Sequence, residues 1–420
     1  MREKSISPKF NIKLFYTLIR WTKLIRMLAT RRPMILYAER LSKNSTAFRN
    51  FARGINSTAT LSGYVNYLIT FMKFHNLGED YDSLVKSSTA EIDRLIIEYL
   101  DHLIAREVKG VTQRCHLMGI ERMFLMNDCI WHKDRIRKGI KTDDAIPGGT
   151  VPITTEELYL MLQNTKSLRT KCIIHFLADT GMRPGGLSDP ILRMKHLEEM
   201  KTPDGEKCYS LKIYDGSKSG YYAFLTPEAT VDMDRYFQKR RIQGETFTQE
   251  SPIFAMVRNS KIFAESITHD YARFIVYNMI TQAGIKRIKV SKHRFDKSAM
   301  YMFRKRFNTI LKLNNDVNSN IAEKLMAHKR GLDGTYLQPT KEECFAEFVK
   351  AIPDLTIDPT KRQQLDINEK QKEINLLEQK SRKIDNLEKM VIEMRNKNNV
   401  EPSQEMIEIV TKILKSKNLV

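Results

Sequence analysis

The sequence predicts a mainly α-helical protein with one small β-hairpin: a helical domain, a mixed α/β domain and a long C-terminal helix. Apolar residues recur at steps of three and four through most of the chain, the helical period. A single pair of strand-like runs, Tyr209–Tyr214 and Tyr221–Leu225, brackets a loop opening with Asp215–Gly216, a turn dipeptide. The segment Lys141–Pro152, KTDDAIPGGTVP, breaks both periodicities with prolines, adjacent glycines and paired acids, and marks a linker. The expected divisions are an N-terminal extension at 1–33, a helical domain at 34–140, the linker at 141–152, a mixed domain at 153–356 and a helical tail at 357–420.

Segment 1–33 carries nine Lys/Arg against Glu3, and Phe10, Leu14, Leu18, Trp21, Ile25 and Leu28 share one helical face. Its basic residues interrupt every stretch that a secretory signal would keep apolar. A basic amphipathic helix lies on a membrane, on DNA or on its own protein, and the segment does not choose among these. In the helical domain Leu61, Tyr64, Val65, Leu68, Phe71 and Met72 mark one buried face, and Ile92, Leu95, Ile96, Tyr99, Leu100 and Leu103 another. The tail lacks glycine and repeats apolar pairs at Ile374/Leu377, Ile384/Leu387 and Val391/Met394. The ten-residue step between the first two pairs breaks a strict heptad once, so a short coiled coil or a helix packed on a neighbour is expected. A further amphipathic stretch follows at Met406, Ile407, Val410, Ile413 and Leu414.

The chain has 420 residues and a formal charge of +20, with pI near 9.6. The 60 tail residues 361–420 hold 13 basic and 10 acidic side chains, so most of the surplus belongs to the body. That surplus favours a polyanionic partner, most often nucleic acid. A hydrophobic content of 41% supports real cores and excludes wholesale disorder. A mean hydropathy of −0.43, with no long uncharged apolar run, argues against a membrane-spanning chain, and a cytoplasmic, nucleoid-associated location is expected from the scattered cysteines and the basic charge. Five scattered cysteines (Cys115, Cys129, Cys172, Cys208, Cys344) make neither a disulfide framework nor a zinc site. No nucleotide-binding P-loop, dinucleotide fingerprint, HExxH or nucleophile elbow is present.

Four separated segments carry candidate chemistry. In Ala178–Asp189, ADTGMRPGGLSD, an apolar helix ends at Thr180–Gly181 and Arg183 follows; Gly181, Gly185 and Gly186 permit close approach of backbone or ligand. The hairpin loop DGSKSG puts Lys218 at its tip. In AMYMFRKRFNTILKL, Tyr301 and Arg304 are three apart and share a helical face. In NIAEKLMAHKRGLDGTYLQP, Asn320 and Glu323 suggest a capping box for a helix running through His328 and Lys329 to Gly331, with Tyr336 beyond Gly334. Alone, each reads blandly: a surface arginine, a solvated tip lysine, an amphipathic helix, a half-buried tyrosine.

In this order the four segments resemble the tyrosine recombinase (phage integrase) family, over about residues 153–345, and look most like archaeal plasmid or virus integrases. The resemblance implies a helical core-binding domain upstream, a mixed catalytic domain downstream, and cleavage and rejoining of double-stranded DNA through a 3′-phosphotyrosine link. Arg183 and Arg304 would grip the non-bridging phosphate oxygens, Tyr336 would attack, Lys218 would protonate the leaving 5′-oxygen, and His328 would hydrogen-bond the phosphate. Tyr301 would orient the phosphate or relay a proton. Neither a metal nor a nucleotide cofactor is implied. The expected assembly is a homo-tetramer on paired DNA sites, monomeric or dimeric off DNA. Two positions depart from the family pattern. Gly186 stands where an acid is usual; its supporting role passes to Asp189 or goes unfilled. Tyr301 stands where histidine is usual; a phenol (reference pKa about 10) is a poorer base at neutral pH than imidazole (about 6.5), unless His293 or Lys292 lies near. The alternatives are a type IB topoisomerase-like relaxase, a catalytically idle DNA-binding protein of the same fold, and a coiled-coil scaffold whose basic body is incidental.

Overall fold

The computed structural model describes residues 31–141, 149–188, 190–258, 261–291, 294–328, 336–398 and 411. Most of the N-terminal extension, Lys292, His293, Asp189, the segment 329–335 and the stretch Met406–Leu414 therefore lie outside the described residues. The chain divides into two compact units, Met1–Ile146 and Pro147–Val420.

The first unit is all helix: α1 (Arg31–Asn44), α2 (Thr46–Ala52), α3 (Thr58–Phe74), α4 (Tyr81–Leu84), α5 (Thr89–Ala105), α6 (Gly110–Leu125) and α7 (Lys133–Lys138). Ser45, Ser57, Asp80 and Ser88 cap α2 to α5 by accepting a backbone N–H two or three residues into each helix. The predicted face of α5, from Ile92 to Leu103, is buried in full; on α3, Val65, Leu68, Phe71 and Met72 are buried while Leu61 and Tyr64 sit at the core's edge. Helices α3 and α6 meet at Gly119, where an added Cβ would stand 2.6 Å from the Tyr64 carbonyl oxygen, so only glycine allows that approach. Two buried acids pin α7. Asp93 accepts from His132 and Arg135, and Glu121 takes both arms of Arg137.

The second unit opens with α8 (Thr155–Gln163), closed by a Thr154/Glu157 capping box. Helix α9 (Leu168–Thr180) follows and ends where expected, on Gly181 in the left-handed conformation. A short 3₁₀ turn, Pro184–Leu187, leads to an antiparallel sheet of β1 (Leu197–Lys201), β2 (Lys207–Ile213) and β3 (Tyr221–Leu225), in that order. Strand alternation gives the sheet two apolar faces. Leu211, Ile213, Ala223 and Leu225 join the main core with α9 and α10 (Pro227–Ile242), whereas Cys208 and Phe224 join a second core with Phe307, Phe345 and Phe348. Then come the β4–β5 ribbon (Ala255–Arg258, Lys261–Ser266), α11 (His269–Gln282), the β6–β7 ribbon (Lys289–Ser291, Arg294–Phe295), α12 (Tyr301–Leu313), α13 (Ser319–Leu325), α14 (Lys341–Lys350), α15 (Ile352–Leu355) and α16 (Pro359–Asn398).

The protein is thus mostly helical with small antiparallel sheets, as the periodicities indicate, but three details differ. Strand β2 begins at Lys207, and Tyr214 has left it for a positive φ of 55° in the turn. Strand β1 pairs beside the hairpin, and two separate two-stranded ribbons accompany that sheet, none of them indicated by the sequence pattern. The helix expected through His328 stops at Leu325. Its cap is Asn318 rather than Asn320, and Ala327 turns out of the helix at φ 51°. Glu323 is thereby released from capping for another partner. Among the described residues of the tail, 359–398 form one helix of 40 residues whose Ile374, Leu377 and Leu387 remain exposed within the chain.

Candidate active site

Arg304 comes from the first turns of α12, where Met302, Phe303 and Phe307 are buried and fix the helix against both cores. Its side chain is carried inward with them, and the residue is 8% exposed. One nitrogen donates to the Gly181 carbonyl at 2.8 Å; the other donates to the Met326 carbonyl at 2.5 Å and to His328 Nε2 at 2.8 Å. These contacts unite three of the four segments. The Gly181 carbonyl is available because α9 ends in a left-handed residue. A Cβ at Gly181 would sit 2.6 Å from the Phe307 ring, so side chains are excluded there on two counts.

His328 is fixed from both sides. Its Nδ1 lies 2.6 Å from Glu323 Oε2, and Glu323 also pairs with Lys312 at 2.8 Å. The ring therefore donates from Nδ1 to the carboxylate and accepts at Nε2 from Arg304, which selects the neutral Nδ1–H tautomer. Burial lowers the His328 pKa, and the Arg304 and Arg183 cations add to that, against Glu323. Burial and then the nearby Arg183 cation likewise hold Arg304 below the usual guanidinium value. Hydrogen bonds from Lys312 and His328 hold Glu323 low although burial alone would raise it.

Arg183 leaves α9 at the start of the 3₁₀ turn and points into a cavity of about 1100 Å³. Lys218, Tyr214 and Tyr221 enter the wall from the hairpin, with His328, Lys324, Gln338 and Pro339 on the other side. Lys218 rides on a loop closed by bonds from Ser217 N to the Tyr214 carbonyl and from Gly220 N to the Ser217 carbonyl. Arg304 stands behind His328 rather than in the wall. Among the described residues neither Arg183 nor Arg304 has a carboxylate partner. With Arg183, Lys212, Lys218 and Lys324 in its lining, the wall is a concave cationic surface of the kind that receives an anion.

The two tyrosines stand apart from this group. Tyr301 is half exposed and opens onto a neighbouring pocket with Pro184 and Arg273. Tyr336 is 78% exposed and lines neither cavity, although Gln338 and Pro339, just beyond it, form part of the first wall. Asp189, Lys292 and His293 lie outside the described residues, so their proposed supporting roles have no geometry.

Tyr221 was not singled out by sequence. It opens β3 on the face shared with Ala223 and Leu225, and its hydroxyl is buried with no partner among the described residues. Burial pushes its phenol up, against the pull of Arg304 and Arg183, so it is a neutral donor. Only its place at the strand end, beside the turn, hinted at it. Tyr214, Lys212 and Lys324 also line the cavity without any sequence signal.

No family model and no curated protein matches the chain. Solved structures do. XerA recombinase matches at 14% identity, covering 76% of this chain and 98% of that one, with a TM-score of 0.32. XerH site-specific recombinase bound to its difH substrate matches at 14% identity, covering 71% and 79%, with a TM-score of 0.43. A lambda integrase tetramer bound to a Holliday junction matches at 14% identity, covering 80% and 89%, with a TM-score of 0.41. The structural neighbours are thus tyrosine recombinases and integrases. At these identities and TM-scores the likeness carries no weight for activity, which has to be read from the site itself. In the described residues no helix is long and apolar enough to cross a membrane, and no cluster of His, Cys, Asp or Glu could hold a metal ion.

Proposed function

We propose that the protein is a site-specific DNA recombinase that cleaves and rejoins a strand through a 3′-phosphotyrosine link. The observation that carries this reading is the cavity itself: Arg183, Lys218 and His328, from three distant segments, line it with Arg304 directly behind. A phosphodiester entering it would meet Arg183 in the wall, with Arg304 behind His328, and neither arginine has a carboxylate partner among the described residues.

The chemistry then balances as follows. The Tyr336 oxygen attacks the phosphorus, its proton passing to a base; a P–O bond forms to tyrosine and the P–O5′ bond breaks. Lys218, presented by the hairpin, gives a proton to the departing 5′-oxygen. Arg183 and Arg304 neutralise the charge that gathers on the non-bridging oxygens. Before this, Arg304 must turn from His328 Nε2 to the phosphate. That leaves Nε2 free as an acceptor for a proton, while Glu323 holds the ring through Nδ1. Tyr221 adds a neutral hydroxyl to the oxygens. The phosphotyrosine bond conserves the energy of the broken linkage, so a 5′-hydroxyl can reverse the step with no nucleotide cofactor.

Tyr336 reaches the phosphate either by a swing about Gln338 and Pro339 or from a neighbouring protomer. Exchange of strands between two duplexes calls for several protomers, the tetramer the family resemblance implies, and the exposed apolar residues of α16 are suited to join them. Affinity should fall steeply with salt, as phosphate contacts dominate.

Incubation with DNA carrying a recognised site should trap a covalent protein–DNA adduct, visible as a shifted band under denaturing conditions. Tyr336→Phe should remove the adduct and keep binding; an adduct that survives this change would show that the nucleophile lies elsewhere. A total absence of adduct in the unaltered protein would favour an idle binder. Joining of two duplexes separates a recombinase from a relaxase acting on one.

A further inference from the structure

We propose that the pocket onto which Tyr301 opens is a second phosphate site, which takes a backbone phosphate of the bound DNA strand beside the one that reacts. This rests on the recombinase reading for its ligand, DNA, but not for its geometry. The pocket holds about 470 Å³. Helix α11 presents His269, Arg273 and Tyr277 to it at four-residue steps, one face of the helix. The β6–β7 region adds Arg287 and Arg294.

The three arginines are not doing structural work with acids. Arg273 and Arg294 are exposed, and none of the three pairs with a carboxylate among the described residues. Arg287 is held in place by other means: its guanidinium lies 4.3 Å from the centre of the Phe295 ring and 5.4 Å from that of Tyr277, and its Nε donates to the Lys297 carbonyl at 2.9 Å. Stacked between rings and anchored by one nitrogen, it is set in advance for a planar, two-pronged contact with an oxyanion. Three guanidiniums converging on one concavity repel one another unless an anion joins them. A phosphate oxygen pair is the ligand that suits forks of this kind.

The two pockets adjoin along the chain and in space. Arg183 lines the first and Pro184 the second; Tyr301 lines the second, and Arg304, one turn further along α12, backs the first. Tyr301 is close enough to act on the Arg304 charge. A strand whose reacting phosphate sits by Arg183 would run past Tyr301 and lay a further phosphate among Arg273, Arg287 and Arg294. Tyr301 then lies between two phosphates, where its hydroxyl bonds a backbone oxygen and needs no basicity. This accounts for a phenol in the slot where histidine is usual.

The test uses the full-length protein and a mixed-sequence duplex as the probe. Phenylglyoxal modifies accessible arginines, and mass spectrometry reads each position. Saturating duplex should slow modification of Arg273 and Arg294 by about tenfold or more, and leave Arg382, on the exposed tail helix, unchanged. In parallel, Arg273→Gln with Arg294→Gln should weaken binding and make the salt dependence shallower by about one to two in log–log slope. Lys380→Gln, on the tail, should change neither. Should the double variant fail to fold, the exposed Arg294→Gln alone carries the slope measurement and the footprint carries the rest. Equal modification with and without DNA, or an unchanged slope, overturns the proposal. Both readouts need binding and not cleavage. On DNA carrying a recognised site, an adduct with unprotected Arg273 and Arg294 rejects the second pocket and keeps the recombinase; protection with no adduct on that same DNA does the reverse.

Discussion

Two arginines in the second unit are buried almost equally and used in opposite ways. Arg240 is 1% exposed; both its Nε and one terminal nitrogen donate to Glu245, its other nitrogen donates to the Pro252 and Ile253 carbonyls, and Phe247 stacks on it at 4.6 Å. All three of its nitrogens are answered within the protein, and its charge is matched by Glu245, so it holds the fold together. Arg304 is 8% exposed, yet it faces another cation and is answered by two carbonyls and a neutral histidine. Its charge is left for something outside the chain. A buried cation with its carboxylate is structure; a buried cation beside a second cation is a site waiting for an anion.

The largest expected effects test this contrast directly. Arg304→Gln should lower the adduct-forming rate by about 10²–10³-fold, the scale for losing one transition-state donor, while the protein melts near its normal temperature. Arg240→Met should do the reverse. It strands Glu245 and should destabilise by about 3–5 kcal/mol, read by urea denaturation, with the rate per folded molecule retained. If the glutamine variant unfolds as readily as the methionine one, Arg304 is structural and the contrast fails.

Gly181→Ala should be next, destabilising by about 2 kcal/mol from the left-handed backbone and the Phe307 contact together. It should also slow cleavage, because the same carbonyl steers Arg304.

Asp179 sharpens the comparison from the acidic side. Burial raises its pKa from 3.8 to about 6, although Thr226 donates to it from N and Oγ1. The folded state therefore holds this proton more tightly than the unfolded chain. The carboxyl disfavours folding above pH 6, and the penalty fades as pH falls towards 4. Asp179→Asn should gain stability relative to the unaltered protein as pH rises from 4 to 7, by on the order of 2 kcal/mol. Denaturation curves across that range check it, and a constant difference would rule the shift out.

The smallest expected effect is at Tyr221. Tyr221→Phe removes a hydroxyl that no described residue satisfies, so stability should change by less than about 0.5 kcal/mol. Cleavage should slow by about tenfold if that hydroxyl serves the phosphate. A clear loss of melting temperature would show that it has a partner in the fold.

Much of the candidate site was legible as motifs because its parts are local. The TG turn after an apolar helix, the DG hairpin and the Tyr301/Arg304 spacing are each written within a dozen residues, and the structure brings Arg183, Lys218, Arg304 and His328 to one place. What stayed hidden depends on partners far along the chain. Glu323 looked like a capping residue until Asn318 took the cap and left it to His328. Tyr221 looked like any strand aromatic, and Arg273, Arg287 and Arg294 like three more surface charges in a basic protein. Tyr336 is the case where order along the chain said most and position least, since it stands outside the cavity.

The sequence by itself determined the helical periods, the hairpin and the surplus of positive charge, because these follow from short-range patterns of side chains and backbone preference. Only the tertiary structure decided which cations are answered and which are left open. That depends on whether an acid is packed within a few ångströms of each guanidinium, and no spacing along the chain states this.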